Sequence, residues 1–197
     1  MSEEQTAADP QLPPYVIEGA RSGRSRCKTC RRTIQKGALR LGILIDGPYG
    51  KGYLWHLMLA QRGYFVVSID NRGTPAPKGA AWRRAIFGSL GPLSTDEQAA
   101  GVKELARTRP YVDLSRVGVW GWSGGGSNTL NAMFRKPDVY HVGIAVAPKP
   151  QPHLYNAWFQ EIYMETRETN PEGYRRSAPL NFAEGLEGDL LIVHGTG

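Results

Sequence analysis

Four short apolar runs, separated by segments of helical character, constrain the fold of this 197-residue chain more than any other feature. They span residues 64–69, 117–120, 142–147 and 190–193. A strand that is buried on both faces has such a continuous apolar sequence. Because strands that alternate with helices form parallel sheets, the pattern predicts an α/β fold with a doubly wound, mainly parallel sheet.

Helix signals occupy the segments between the apolar runs. Ser94, followed by Glu97, predicts a capping box at the start of a helix that ends before Pro110. After the last run the chain reaches Gly197 without a further helix. Since helices cover both faces of a parallel sheet, we expect a domain that is incomplete within this chain.

The segment Gly121-Trp122-Ser123-Gly124-Gly125 fits the pattern G-x-S-x-G between an apolar run and a helix. In this motif the serine occupies a sharp strand-to-helix turn that raises its hydroxyl above the sheet. The backbone N–H of Gly124 then faces the position where an oxyanion forms, near the positive end of the following helix. The motif predicts Ser123 as a nucleophile, and the alternative is an inert serine in a glycine-rich turn.

A serine nucleophile requires a histidine base and an acid that orients the histidine. In this fold they follow the serine in the order acid, then histidine. Asp138 and His141 are predicted at the end of the sheet opposite Ser123, and no acid follows His194. We therefore expect no complete triad within the chain, and an inactive or nearly inactive chain.

Three segments of the second part carry a family resemblance: GWSGGGSNTLNAMFRKPDVYHVGIAVAP, NPEGYRRSAPLNFAEGL and LLIVHGTG. Together they closely resemble the catalytic domain of the prolyl oligopeptidase family, nearest to its dipeptidyl peptidase IV branch. The resemblance covers about residues 57–197. It implies an α/β-hydrolase serine peptidase that cleaves short peptides, often after proline, without a cofactor.

The same resemblance implies roles for individual residues. Ser123 matches the nucleophile of the family and Gly124 its backbone oxyanion donor. Tyr155 matches a tyrosine of the pocket for the proline side of the substrate. The catalytic aspartate and histidine of the family correspond to positions after Gly197.

The first part of the chain contains half of a possible zinc site. Cys27 and Cys30 are the only two cysteines, and their spacing suits zinc better than a disulfide. The segment YVIEGARSGRSRCKTCRRTIQKGALRLGI, with GYLWH after it, resembles the PARP-type zinc finger of poly(ADP-ribose) polymerases and DNA ligases. That resemblance implies His56 as a third ligand and broken DNA as a partner. Leu59 stands at the fourth ligand position and cannot bind zinc, so a basic segment without zinc is the alternative.

The formal net charge of +6 is concentrated in residues 21–40, which contain no acidic residue. Such a cluster can bind phosphates, and the alternative is an ordinary solvated basic surface. The residues predicted to contact DNA are Arg21, Arg24, Arg26, Lys28, Arg31 and Arg32.

The chain is therefore predicted to have three parts. Residues 1–14 are a polar, disordered tail, residues 15–56 a partial PARP-type zinc finger, and residues 57–197 a partial α/β-hydrolase peptidase domain. No apolar run approaches the roughly 20 residues that span a membrane, and no secretory signal is present. We expect a cytoplasmic chain with no membrane partner. A fragment that does not fold stably is the remaining alternative.

Overall fold

A computed structural model describes residues 15–19, 39–43, 50–75 and 77–195. The chain divides into two compact units, Met1–Val67 and Ser68–Gly197. Side chains are described for residues 55–75 and 77–195. The predicted tail at residues 1–14 lies outside the described residues.

The first unit contains two paired strands and a helix. Strand β1 (Tyr15–Gly19) runs antiparallel to β2 (Leu39–Ile43), with Ile17 opposite Leu41. Helix α1 (Gly50–Gln61) continues through the boundary predicted between residues 56 and 57. That boundary, and the division into three parts, stay predictions.

The second unit is built on a three-stranded sheet of β3 (Gly118–Trp122), β4 (Val142–Val146) and β5 (Asp189–Val193). The strand order is β3-β4-β5, and both pairs are parallel, as predicted. In register, Trp122 lies opposite Val146, and Val146 lies opposite Val193. The carboxyl ends of all three strands therefore meet at one edge of the sheet.

Helices connect these strands and precede them in the second unit. They are α2 (Gly79–Arg84), α3 (Pro92–Thr108), α4 (Gly124–Arg135), α5 (Ala157–Met164) and α6 (Pro171–Ser177). Helix α4 links β3 to β4 and packs against both strands and against α3. This crossover is the βαβ arrangement expected of a parallel pair.

The core of the second unit lies between α4 and the sheet. Met133 of α4 and Ala145 of β4 are completely buried, and Leu130 and Val139 are almost completely buried. A Cβ atom on Gly143 would lie 2.5 Å from Met133 Cγ, so the glycine makes room for the methionine on the sheet. Full burial of such a side chain stabilises the fold by about 1.5–3 kcal/mol. This packing sets the distance between α4 and the sheet.

The predicted strand at residues 64–69 is wrong. Residues 64–70 form no strand and pair with no strand in the described part of the chain. Tyr64 is 64% exposed and Val67 is 38% exposed, so the run is not buried on both faces. An apolar run specifies a strand only where a neighbouring strand supplies hydrogen-bond partners.

The predicted capping box at Ser94 is also wrong. Helix α3 begins two residues earlier, at Pro92, with Gly91 at φ 111° as its N-terminal boundary. The Ser94 hydroxyl donates to the Gly91 carbonyl at 2.8 Å instead of capping the helix. Proline is favoured in the first turn, where its missing N–H is not required, and this preference sets the start of α3.

Candidate active site

Ser123 forms the whole turn between β3, which ends at Trp122, and α4, which begins at Gly124. Its backbone angles are φ 56° and ψ −114°, a region that costs a non-glycine residue about 1–3 kcal/mol. The Ser123 N–H donates to the Val146 carbonyl at 2.9 Å, and the Ser127 N–H donates to the Ser123 carbonyl at 3.0 Å. The predicted strand-to-helix turn is confirmed, whereas the role of Ser123 as nucleophile stays a prediction.

Two glycines make this turn sterically possible. A Cβ atom on Gly121 would lie 2.4 Å from the backbone of Gly125, and one on Gly126 would lie 2.6 Å from the Val146 carbonyl oxygen. A Cβ atom on Gly124 or Gly125 would meet nothing within 4 Å. The close approach of backbones therefore requires glycine at positions 121 and 126, and the second required position falls one residue after the G-x-S-x-G motif.

Gly124, the predicted oxyanion donor, follows Ser123 directly. Gly124 is the first residue of α4, a twelve-residue helix whose positive end lies at the turn. Ser123 is exposed, and its side chain caps no backbone N–H of α4. Ser123 and Gly124 thus both lie at the carboxyl edge of the sheet, and the role of Gly124 as oxyanion donor stays a prediction.

A cavity of about 240 Å³ lies beside this turn. Gly124 and Ser127 of α4 form one wall, and the loop after β4 contributes Lys149 and Pro152. Other walls come from the loop 71–74, the start of α3 and helix α5. Their principal lining residues are Asn71, Thr74, Ser94, Phe159, Gln160 and Met164.

Hydrogen bonds to α3 hold the loop 71–74 in place. The Arg72 N–H donates to Glu97 Oε2 at 2.7 Å, and the Arg72 guanidinium binds the same carboxylate. Gln98 Nε2 donates to Asn71 Oδ1 at 2.9 Å. Burial raises the pKa of Glu97, but the hydrogen bonds and charge of Arg72 outweigh it and leave that pKa below its usual value. A charged Glu97 therefore anchors this wall of the cavity at neutral pH.

One aromatic residue, Phe159, is among the described residues that line the cavity, and two tyrosine rings pack against it. The rings of Tyr155 and Phe159 meet edge to face with centroids 5.7 Å apart, and Phe159 also contacts Tyr163 at 4.8 Å. Phe159 lines the cavity, whereas Tyr155 is not among its lining residues and is 45% exposed. The predicted role of Tyr155 in the substrate pocket stays a prediction. Phe159, rather than Tyr155, is the aromatic residue in contact with the cavity.

Ser127 is a site residue that the sequence did not single out. Its hydroxyl accepts a hydrogen bond from the Lys149 backbone N–H at 2.9 Å and donates to the Ser123 carbonyl at 3.3 Å. The side chain therefore ties the loop after β4 to the nucleophile turn. Its spacing of four residues from Ser123, one helical turn, is the only signal that could have identified it.

The candidate acids and histidines of a triad form no hydrogen bond with Ser123 among the described residues, and the absence of a triad and the inactivity of the chain stay predictions. Asp138 binds Lys103 Nζ at 2.7 Å, and the His141 backbone bonds to Val117 and Asp189 at the amino ends of the strands. Their predicted position at the end of the sheet opposite Ser123 is confirmed. His194 follows β5 and its ring contacts the Gly195 carbonyl. No hydrogen bond joins Ser123 to any histidine within residues 77–195.

A wider, open depression of about 750 Å³ lies at the opposite end of the sheet. It is lined by the end of α3 and by Pro110, Val112 and Leu114, which precede β3. Ser123 follows the carboxyl end of the same strand, so this depression is separated from it by the length of the strand. The smaller cavity, by contrast, lies beside Gly124, which follows Ser123 directly.

The predicted zinc and DNA residues lie almost entirely outside the described residues. These are Cys27, Cys30, Arg21, Arg24, Arg26, Lys28, Arg31 and Arg32. His56 is described: it lies within α1, and partial burial lowers its pKa. Within the described residues no group of three His, Cys, Asp or Glu side chains could hold a metal ion. Zinc binding and DNA binding stay predictions.

None of the described helices is long and apolar enough to cross a lipid bilayer.

Residues 53–197 match the prolyl oligopeptidase family. Dipeptidyl peptidase 4 of Trichophyton equinum is 38% identical over 136 residues, which are 68% of this chain and 17% of that protein. The crystal structure of Porphyromonas gingivalis dipeptidyl peptidase 4 superposes with a TM-score of 0.69 at 35% identity, over 88% of this chain and 22% of that one. A crystal structure from Bacteroides ovatus gives a TM-score of 0.68 at 41% identity, over 71% of this chain and 20% of that one.

The chain thus spans about a fifth of the length of the relatives it matches. These similarities confirm the predicted fold class, an incomplete α/β-hydrolase with a parallel sheet. They give no support to the resemblance of residues 15–56 to a PARP-type zinc finger. Because one family accounts for residues 53–197, including the strained serine and its cavity, this chain belongs to the prolyl oligopeptidase family.

Proposed function

We propose that this chain forms the nucleophile-bearing part of a serine peptidase of the dipeptidyl peptidase IV type. The observation that carries the proposal is the strained turn at Ser123, with φ 56°, between β3 and α4. Strain of this kind persists only where the surrounding structure enforces it, and it concentrates at functional sites. The match of residues 53–197 to a peptidase family supports the same chemistry.

In the proposed reaction, Ser123 Oγ attacks the carbonyl carbon of the scissile peptide bond. The reaction requires a histidine base, which no described residue supplies to Ser123 through a hydrogen bond; it accepts the hydroxyl proton, while the carbonyl oxygen becomes an oxyanion that accepts a hydrogen bond from the Gly124 N–H. When the tetrahedral intermediate collapses, the C–N bond breaks and the protonated histidine donates its proton to the leaving amine. Water then hydrolyses the acyl-enzyme by the reverse sequence of proton transfers.

The 240 Å³ cavity supports a peptide substrate in this orientation. Gly124 lines it, so a residue whose carbonyl oxygen is bound at the Gly124 N–H can place its side chain inside. Phe159 supplies an apolar wall, and the ring of Tyr155 packs edge to face against that of Phe159. We propose Tyr155 as a supporting residue of this substrate pocket.

The test uses the full-length protein and a fluorophosphonate probe that acylates activated serines. We expect the probe to label Ser123, and Ser123→Ala to lower the hydrolysis of dipeptidyl aminomethylcoumarin substrates by at least ~10³-fold. Ser115→Ala is the matched control, because Ser115 lies before β3 and its side chain binds Asp113 among the described residues. Labelling of a different serine, or wild-type hydrolysis by Ser123→Ala, would refute the proposal.

A further inference from the structure

Lys149 is the one charged side chain among the described residues that line the 240 Å³ cavity. The loop after β4 carries it, and the bond from its backbone N–H to Ser127 Oγ at 2.9 Å fixes the loop beside the nucleophile turn. Among the described residues no carboxylate forms an ion pair with Lys149. A cation at this place has no structural counter-charge in the described part of the protein.

Neutral partners hold the ammonium group in a fixed position. Nζ donates to Gln160 Oε1 at 2.7 Å, and Gln160 itself is 2% exposed. The same Nζ lies 4.8 Å from the ring centroid of Tyr155 and 4.9 Å from that of Phe159. An ammonium group has three N–H donors, and Gln160 accepts from one of them. Donor capacity therefore remains on Lys149 at the wall of the cavity.

The second source of positive potential in the cavity is the end of α4. Gly124 begins this twelve-residue helix and lines the same cavity as Lys149. The helix end carries about half a positive charge, and both sources act at a half-buried site where screening by water is reduced. Partial burial removes water from around the Lys149 ammonium and lowers its pKa. An anion that enters the cavity would accept hydrogen bonds from the ammonium and so replace the water that burial has removed.

We infer that Lys149 sets the substrate class of this site, by favouring peptides whose residue on the acyl side of the scissile bond has an aspartate or glutamate side chain. The inference rests on the proposed function, because the acyl group on Ser123 is what directs that side chain past Gly124. The cavity of about 240 Å³ has room for a carboxylate side chain. The carboxylate accepts hydrogen bonds from Lys149 Nζ, and Phe159 packs against its methylene groups.

The test compares paired substrates with the full-length protein. Dipeptidyl aminomethylcoumarins that end in Glu or Gln have the same shape and differ in charge, as do those that end in Asp or Asn. We expect kcat/KM to be roughly 10- to 100-fold higher for each acid than for its amide, the range of a hydrogen bond between charged groups. Substrates that end in Pro and Ala measure the activity of the site without a charged side chain.

Lys149→Met keeps the length of the side chain and removes its charge, so it should abolish the preference for acid over amide. The matched control is Lys78→Met, because Lys78 Nζ also lies over a ring, 4.2 Å from the Trp82 centroid, on the surface outside the cavity. That control should keep the preference unchanged. The comparison of acid with amide in the wild-type protein requires no variant, so a misfolded Lys149→Met leaves the test intact.

Three outcomes are distinguishable. Equal kcat/KM for acid and amide in the wild-type protein, with Pro or Ala substrates cleaved, would overturn the role of Lys149 and leave the proposed function standing. A preference for acids that persists in a folded Lys149→Met would also overturn it. Failure to hydrolyse any of the substrates, with no labelling of Ser123, would instead overturn the proposed function.

Discussion

Replacing Gly126 with alanine tests the close contact between the nucleophile turn and strand β4. The new Cβ atom would lie 2.6 Å from the Val146 carbonyl oxygen, 3.2 Å from Pro148 Cα and 3.3 Å from the Gly121 carbonyl oxygen. All three atoms belong to the backbone, so no side-chain rotation can relieve the overlap. Helix α4 must therefore move away from β4, and Ser123 must move with it.

The magnitude follows from the kind of atoms that collide. Overpacking that side-chain movement can relieve lowers the free energy of unfolding by about 1–3 kcal/mol. Because the backbone is less able to move, we expect a loss of about 3 kcal/mol or more at this site. For a domain of this size each kcal/mol lowers Tm by about 2–4 °C, so we expect a decrease of about 6–12 °C. The rate at which a fluorophosphonate labels Ser123 should fall as well, since the hydroxyl and the Gly124 N–H lose their alignment.

Gly125→Ala is the matched control in the same turn of α4. Its Cβ atom would meet nothing within 4 Å, and alanine favours the helix over glycine by up to about 1 kcal/mol. Thermal unfolding of the full-length protein, followed by circular dichroism, should show an unchanged or slightly raised Tm for this variant. If Gly126→Ala melted within about 2 °C of the wild type, or if both variants were destabilised equally, the steric reasoning would be refuted.

Three further changes test other parts of the structure. Met133→Ala removes a completely buried side chain and should lower the free energy of unfolding by about 2–5 kcal/mol in a urea titration, whereas Leu154→Ala, at a residue 76% exposed, should change it by less than about 0.5 kcal/mol. Ser127→Ala leaves the Lys149 N–H without its acceptor, so it should lower the free energy of unfolding by about 1–3 kcal/mol and slow the labelling of Ser123. An unchanged labelling rate would contradict the role given to this contact. Hydrogen bonds from Ser115 and Arg116 lower the pKa of Asp113 to about 2. The stability that this carboxylate contributes is therefore present above pH 4 and is lost as the pH falls towards 2. Over that interval the difference in Tm between the wild type and Asp113→Asn should shrink.

Local sequence patterns predicted the elements whose hydrogen bonds and packing depend on their own residues. The run RVGVW before Ser123 predicted strand β3, and the glycines around Ser123 predicted the turn, because backbone strain and close approach leave few residue types possible. The same approach failed at residues 64–69, where an apolar run lacks a strand to pair with. It also failed at Ser94, where Pro92 two residues earlier starts the helix.

The sequence by itself determined the parallel α/β arrangement and the candidate nucleophile at Ser123. Only the tertiary structure decided what surrounds that serine. The bond from Ser127 to the loop after β4, and the Lys149 ammonium in the cavity beside Gly124, join residues from different elements. Periodicity and motif spacing report contacts along one element, whereas these contacts arise only when the crossover of α4 brings the ends of two strands to the same edge of the sheet.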